Sequence, residues 1–371
     1  MKILILYASY GNGHFSAANS LKEYIDTFSS ENEAILVDSI KYINKFVDKI
    51  TVDTFAWMSK KVPKLWETTY EKSEKGPLSK INISTMKLMS IKLLELIEEI
   101  NPDIIISTHP FNNEMCGRLK EKKKISCKIY SVITDFAPHA QYLTRKNVLD
   151  CYFVSNYGMK QDLIDYGIET ERIKVTGIPI SPDFSKIHDK DNIRQELNLN
   201  NKFTFLMFAS WSEDIYKSIR VFETLLNSKD DIQVIAITGK SKDLKHSFEN
   251  LVKKYGKENS FKILGFSKKI PELMAISNIV ISKPGGLTSS ESLACELPII
   301  ISSAILGQEE QNSNFLLNNG VAMRIFEETN IHSMFFELLN SPIRYNQMKD
   351  MTKIVGKPNA SKDIINTILE Q

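Results

Sequence analysis

The 371-residue sequence is short of several things, and each shortage removes a class of protein. Its four cysteines, Cys116, Cys127, Cys151 and Cys295, stand far apart with no CxxC spacing, so neither a disulfide framework nor a zinc site is indicated and reduced thiols are expected. Charge of one sign is not in excess. With 47 Lys plus Arg against 45 Asp plus Glu, the net of +2 supplies no whole-chain field for a nucleic acid partner. The longest nearly apolar run, Leu297 to Leu306, is about half of the roughly 20 residues that a bilayer-spanning helix needs. Near the N-terminus, Ile3 to Ala8 is too short for a signal-peptide core and leads into a glycine-containing turn, so a cytoplasmic location is expected.

What is present is an alternation. Short runs rich in Ile and Val alternate with longer stretches of helical period, which predicts an α/β fold with parallel sheets covered by helices on both faces. Strands are expected at Ile3–Tyr7, Ala34–Val37, Ile104–Ser107, Ile129–Ile133, Cys151–Val154 and Ile173–Val175, then at Phe203–Phe208, Gln233–Ile237, Lys262–Leu264, Ile279–Ser282, Ile299–Ile301 and Ala322–Ile325. Two such sets read as two doubly wound domains. Gly177-Ile178-Pro179-Ile180-Ser181-Pro182 interrupts the periodicity and reads as a linker, which places the domains at 1–186 and 187–340. The tail at 341–371 is helical by period and can cross back to the first domain.

Residues 41 to 92 depart from the overall neutrality, with eleven lysines against five acids. Ile43, Val47, Ile50, Phe55 and Met58 approximate one helical stripe, flanked by Trp57, Trp66 and the lysines at 60, 61 and 64. Such a basic, Trp-containing stretch suits an anionic membrane surface, and equally a helix packed on the sheet with a solvated lysine face.

Three strand ends in the first half carry polar groups that would converge on one crevice. The first strand runs into Ser9-Tyr10-Gly11-Asn12-Gly13-His14, the third into Thr108-His109-Pro110-Phe111, and the fourth into Thr134-Asp135-Phe136. His14 falls at a helix N-terminus, whose partial positive charge favours a neutral ring able to accept a proton. Asp135 can orient His14, act as base itself, or serve only as a turn carboxylate. In the second half, Ser282-Lys283-Pro284-Gly285-Gly286-Leu287-Thr288-Ser289-Ser290-Glu291 reads as a strand, a Gly-Gly turn and a helix start. Unpaired N–H groups and the positive dipole end there suit a diphosphate, with Glu291 placed to accept from two ribose hydroxyls, and the alternative is a structural Gly-Gly turn. Gln308 and Glu309 open a further helix and can bind sugar hydroxyls, although by composition alone they read better as a polar helix start. Asp189-Lys190-Asp191 has the DxD spacing of metal-dependent sugar-nucleotide enzymes, but Asp191 reads better as the N-cap of the following helix. No metal is expected.

These residues in this order resemble a family: the glycosyltransferase-B enzymes of family 28, comprising processive diacylglycerol glucosyltransferases and monogalactosyldiacylglycerol synthases. The resemblance runs through ASYGNGH (8–14), STHPF (107–111), VITDF (132–136), GIPI (177–180), LGF (264–266), ISKPGGLTSSESLACELPII (281–300) and GQEEQN (307–312). It implies two Rossmann-like domains facing a cleft, with a UDP-sugar on the second, a lipid acceptor on the first, and no metal or other cofactor. Peripheral attachment to the cell membrane through the 41–92 stretch is implied as well. Carried over by position, His14 and Asp135 are the catalytic candidates, and His14 can instead touch an anionic lipid head group. Phe266 falls on the uracil side, and Gly285, Gly286, Leu287 and Thr288 fall on the diphosphate. Glu291 falls on the ribose, and Gln308 and Glu309 on the sugar. Gly13, Trp57, Lys60, Lys61, Lys64 and Trp66 fall on the acceptor and membrane side.

Two positions depart from the family. Ala209-Ser210-Trp211-Ser212-Glu213-Asp214 replaces a glycine-rich loop, and Tyr142 stands for the tryptophan usual after VITDF. These leave open a different lipid-linked or secondary-metabolite acceptor, and a UDP-sugar-binding regulator with little turnover.

Overall fold

The computed structural model describes residues 1–9, 12–29, 31–44, 83–209, 215–304, 307–326 and 329–370. The chain divides into two compact units. Met1–Pro182 and the segment from Asn359 onward form the first, and Asp183–Pro358 forms the second, except for a short piece ending at Gln308 that groups with the first.

The first unit holds β1 (Lys2–Tyr7), α1 (Asn12–Phe28), β2 (Glu33–Asp38), α2 (Ser39–Asn44), α3 (Ile83–Ile100), β3 (Ile104–Ser107), α4 (Pro110–Glu121), β4 (Lys128–Val132), β5 (Cys151–Val154), α5 (Tyr157–Asp165) and β6 (Ile173–Val175). Its six strands are all parallel, in the order β2-β1-β3-β4-β5-β6. Alternation along each strand feeds two cores. Leu4, Leu6, Ile105 and Ile129 pack on one face with α3 and α4, while Ile3, Ile5, Ile106 and Val132 pack on the other with α1. Ile364, Ile365 and Ile368 of the last helix join that second core.

The second unit holds α6 (Lys190–Glu196), β7 (Phe203–Phe208), α7 (Ile215–Leu226), β8 (Ile232–Ile237), α8 (Lys242–Lys254), β9 (Phe261–Leu264), α9 (Ile270–Ala275), β10 (Ile279–Ser282), α10 (Gly286–Ala294), β11 (Ile299–Ile301), α11 (Gln308–Asn318), β12 (Ala322–Arg324), α12 (Ile331–Asn340) and α13 (Pro342–Val355). Its sheet is again parallel, in the order β12-β11-β10-β7-β8-β9. Phe205, Met207, Ile279 and Ile281 face one core, and Leu206 and Val280 face the other.

The tail does not change units at residue 341. Pro342 occupies the first turn of α13, where its missing N–H is harmless, and α13 stays with the second unit. The change comes at Asn359, after Gly356-Lys357-Pro358, and α14 (Ala360–Leu369) lies in the first. There the Ser361 hydroxyl donates to the Ile180 carbonyl at 2.6 Å.

Each sheet reverses its winding once. In the first, β2 lies on one side of β1 and β3 on the other, so the crevice at the carboxyl ends of β1 and β3 is the switch point. In the second, the reversal lies between β7 and β10. Open α/β sheets bind ligands at such points, and the residues following β1, β3 and β10 are those that the sequence singles out.

Candidate functional site

At the first switch point, His14 sits in the opening turn of α1 beside Gly13. Its Nδ1 lies 2.7 Å from the Thr108 carbonyl oxygen at the end of β3 and 3.1 Å from the Thr134 hydroxyl after β4. A carbonyl oxygen only accepts, so Nδ1 carries the ring proton and Nε2 keeps its lone pair. Among the described residues Nε2 has no hydrogen-bond partner. Burial pushes the imidazole down to about 4, against a smaller upward pull from the Thr108 carbonyl, and the ring is neutral at neutral pH. The Thr108 hydroxyl in turn donates to the His14 carbonyl at 3.0 Å, tying β3 to the start of α1.

His109 packs edge-on against His14, with ring centroids 4.5 Å apart. Its Nδ1 accepts from the Phe111 N–H at 3.1 Å and so caps α4, while Pro110 takes a first-turn position. Burial, reinforced by the neighbouring His14 and His139, holds its pKa well below the ordinary value. The groups that approach His14 Nδ1 are thus Thr108 and Thr134. Asp135 follows Thr134, and its main-chain carbonyl accepts from the Ser155 hydroxyl at 2.9 Å. Its charge adds to burial in raising the Tyr142 phenol. Tyr142 is fully buried, with its hydroxyl 3.4 Å from both the Thr108 carbonyl and the Thr134 hydroxyl. The sequence marks Tyr142 only as a departure from the resembled family and Thr108 only as part of a strand end, and shows neither as a partner of His14. The signal for their meeting was that STHPF and VITDF both close strands of one sheet.

At the second switch point, Gly285 caps α10 and provides no side chain to the helix end. Its φ of −68° suits any residue, and a Cβ there would meet nothing within 4 Å. Neither backbone conformation nor internal packing therefore calls for glycine, and the cleared space lies outside the chain. The Ser289 N–H bonds the Gly285 carbonyl at 3.0 Å, so the amides of Gly286, Leu287 and Thr288 form the uncapped turn. The carboxylate of Glu291, one turn on, makes no hydrogen bond or ion pair among the described residues, while the Glu291 main-chain carbonyl accepts from the Cys295 N–H at 3.1 Å. Burial pushes its carboxyl up to about 7. Gln308 and Glu309 open α11 after β11 and are partly buried. Phe266, just past β9, leaves 67% of its surface in water.

Two expectations need correction or limitation. The N-cap of α6 is Asp189, whose Oδ1 accepts from the Asn192 N–H at 3.1 Å. Asp191 is instead a first-turn residue paired with Arg194 at 3.2 Å, and this exposed pair is an ordinary helix-surface contact. Trp57, Lys60, Lys61, Lys64 and Trp66, together with positions 210 to 214 of the glycine-free loop, lie outside the described residues.

Residues 14–180 match the model of the monogalactosyldiacylglycerol (MGDG) synthase family, and residues 189–354 match that of the glycosyl transferases group 1. A processive diacylglycerol beta-glucosyltransferase of Bacillus cereus (strain AH187) is 28% identical over 385 residues, covering 100% of this chain and 94% of that protein. Among solved structures, Acinetobacter baumannii MurG aligns with a TM-score of 0.68 at 10% identity over 100% of both chains. Staphylococcus aureus MnaA, solved with UDP, aligns with a TM-score of 0.64 at 14% identity, covering 99% of this chain and 96% of that one. These neighbours share its pair of Rossmann-like units, the glycosyltransferase-B fold. The synthase match falls on the unit that carries His14 and the transferase match on the unit that carries Gly285 and Glu291, so the chain is similar in its first unit to the MGDG synthases, in its second to the glycosyl transferases group 1, and along its whole length to the processive diacylglycerol beta-glucosyltransferases.

Proposed function

We propose that the chain transfers a hexose from a UDP-sugar to a diacylglycerol-type lipid in one displacement that inverts the anomeric carbon. The observation that carries this reading is His14: a neutral imidazole whose proton is held on Nδ1 by Thr108, leaving Nε2 to take a proton from an acceptor hydroxyl. Loss of that proton makes the hydroxyl oxygen the nucleophile. The bond from the anomeric carbon to the diphosphate breaks, and the leaving charge falls on UDP. Asp135 supports the resulting imidazolium by its charge.

On the donor side, the uncapped amides at Gly286, Leu287 and Thr288 and the dipole of α10 stabilise the departing diphosphate, and the bare Gly285 lets it approach. Glu291 accepts from the ribose hydroxyls, Phe266 borders the uracil, and Gln308 with Glu309 hold the hexose. Among the described residues no helix is long and apolar enough to cross a membrane. In this reading the lipid is reached from an anionic surface through the basic, Trp-containing stretch at 41–92.

The test incubates the protein with radiolabelled UDP-glucose or UDP-galactose and vesicles of diacylglycerol in anionic phospholipid. Labelled glycolipid from one of the two sugars is expected. UDP binding without transfer from either would support a regulator instead.

A further inference from the structure

The Thr108 carbonyl and the Thr134 hydroxyl both approach His14 Nδ1, at 2.7 and 3.1 Å, and both lie 3.4 Å from the Tyr142 hydroxyl. Tyr142 and Thr134 are buried, at 0% and 4% exposure, so bulk water does not decide where their protons point. Two assignments are possible. If Nδ1 accepted from Thr134, its lone pair would face the Thr108 oxygen across the shortest contact of the set. With Nδ1 protonated, every proton has an acceptor. Nδ1–H goes to Thr108, the Thr134 hydroxyl donates to Tyr142, and the Tyr142 hydroxyl donates to Thr108.

We propose that Tyr142 is a positioning residue for His14: by accepting a hydrogen bond from the Thr134 hydroxyl and donating one to the Thr108 carbonyl, it keeps Thr134 from donating to Nδ1 and so holds the lone pair on Nε2. This rests on the reading of His14 as the base. Without the phenol oxygen, the Thr134 hydroxyl loses its buried acceptor and turns to Nδ1. That favours the tautomer with the proton on Nε2, which cannot accept from a substrate.

The test compares Tyr142→Phe, Thr134→Val and the double variant, using steady-state turnover of UDP-sugar and nitrogen-15 NMR of the histidines, with His14→Gln identifying the His14 signals. In the unaltered protein the His14 proton is expected on Nδ1. Tyr142→Phe should lower kcat about 5- to 10-fold, leave KM for the UDP-sugar unchanged, and move proton density to Nε2. Thr134→Val removes the competing donor, so the double variant should recover most of the lost kcat, whereas a purely structural role predicts that it is worse than Tyr142→Phe. A double variant worse than the single one, or a His14 proton on Nε2 in the unaltered protein, overturns the proposal. The NMR arm needs no turnover and remains decisive if Tyr142→Phe folds poorly. Full turnover in His14→Gln would instead overturn the base reading while leaving the tautomer result standing.

Discussion

The imidazole of His14 bonds through Nδ1 to the carbonyl of Thr108, 94 positions further along the chain, at 2.7 Å. The contact joins the ends of two neighbouring strands across the switch point of the first sheet. It also sets which nitrogen of the ring is free. A histidine that is neutral and fixed in this way meets the geometric demand on a general base before any substrate is present.

Removing that base tests its importance directly. His14→Ala is expected to lower turnover by about 10²- to 10⁴-fold while UDP still binds, because the donor residues lie in the other unit. Calorimetry with UDP alongside the transfer assay checks both halves. Equal losses of turnover and UDP affinity would point to misfolding or to a different role.

The pH dependence of the two sites should differ. With donor saturating, kcat should stay level from pH 8 down to about 5 and fall only near 4, because burial keeps His14 unprotonated down to there. UDP affinity should weaken below about pH 7, where the unliganded Glu291 takes up a proton and loses its capacity to accept from two hydroxyls. The limit is about tenfold per pH unit for one proton. Glu291→Gln should bind UDP more weakly and without this pH dependence. It should also melt higher at pH 8, since the ordinary carboxyl value of 4.5 is raised by folding and the charged form is penalised there.

Stability in acid follows from the histidines with the opposite sign. His14 and His139 are held at about 4 against an ordinary 6.5, both by burial. The unfolded chain therefore binds more protons than the folded one in this window. The folded state keeps its full advantage above pH 6.5 and loses it progressively as pH falls through about 4. Thermal melts between pH 7.5 and 4.5 should show a falling Tm, and the fall should be smaller in His139→Asn.

Two glycines of the second unit should separate function from folding. At Gly285 a methyl group meets nothing, so Gly285→Ala should melt like the original protein and bind UDP at least about tenfold more weakly. At Gly356 a Cβ would lie 2.6 Å from the Leu293 carbonyl oxygen and 2.8 Å from that of Thr352. Gly356→Ala should cost about 1–3 kcal/mol of stability, read from denaturant unfolding, without bearing on the turn at 285.

The membrane expectation rests on composition and is tested by sedimentation with vesicles. Replacing Lys60, Lys61 and Lys64 by glutamate should release the protein from anionic vesicles and leave UDP binding unchanged, each lysine contributing about 1 kcal/mol near such a surface. Binding that persists at low salt in the triple variant would locate the attachment elsewhere.

Local chemistry made much of this legible in the sequence. Ile- and Val-rich runs can be satisfied only as buried parallel strands, so twelve strands were expected, and the observed ends differ by no more than one residue. The Gly-Gly turn before α10 and the histidine opening α1 announce themselves because glycine and histidine have specific uses at helix starts. The cap of α6 was misplaced by two residues, because two aspartates flanking one lysine offer equal caps until the entry angle of the chain selects Asp189.

Partnership across the sheet was decided only in three dimensions. Strand order is set by which crossovers pack, and it alone makes β1 and β3 neighbours and brings Thr108, Thr134 and Tyr142 around one imidazole. The state of His14 and Glu291 was likewise set by surroundings drawn from distant segments, since desolvation depends on what encloses a group and not on its neighbours in sequence. Residue types and spacing thus determined the fold class and named the groups able to do chemistry. The tertiary structure determined which nitrogen holds the proton and which carboxyl waits unpaired, because hydrogen bonds and burial act through space.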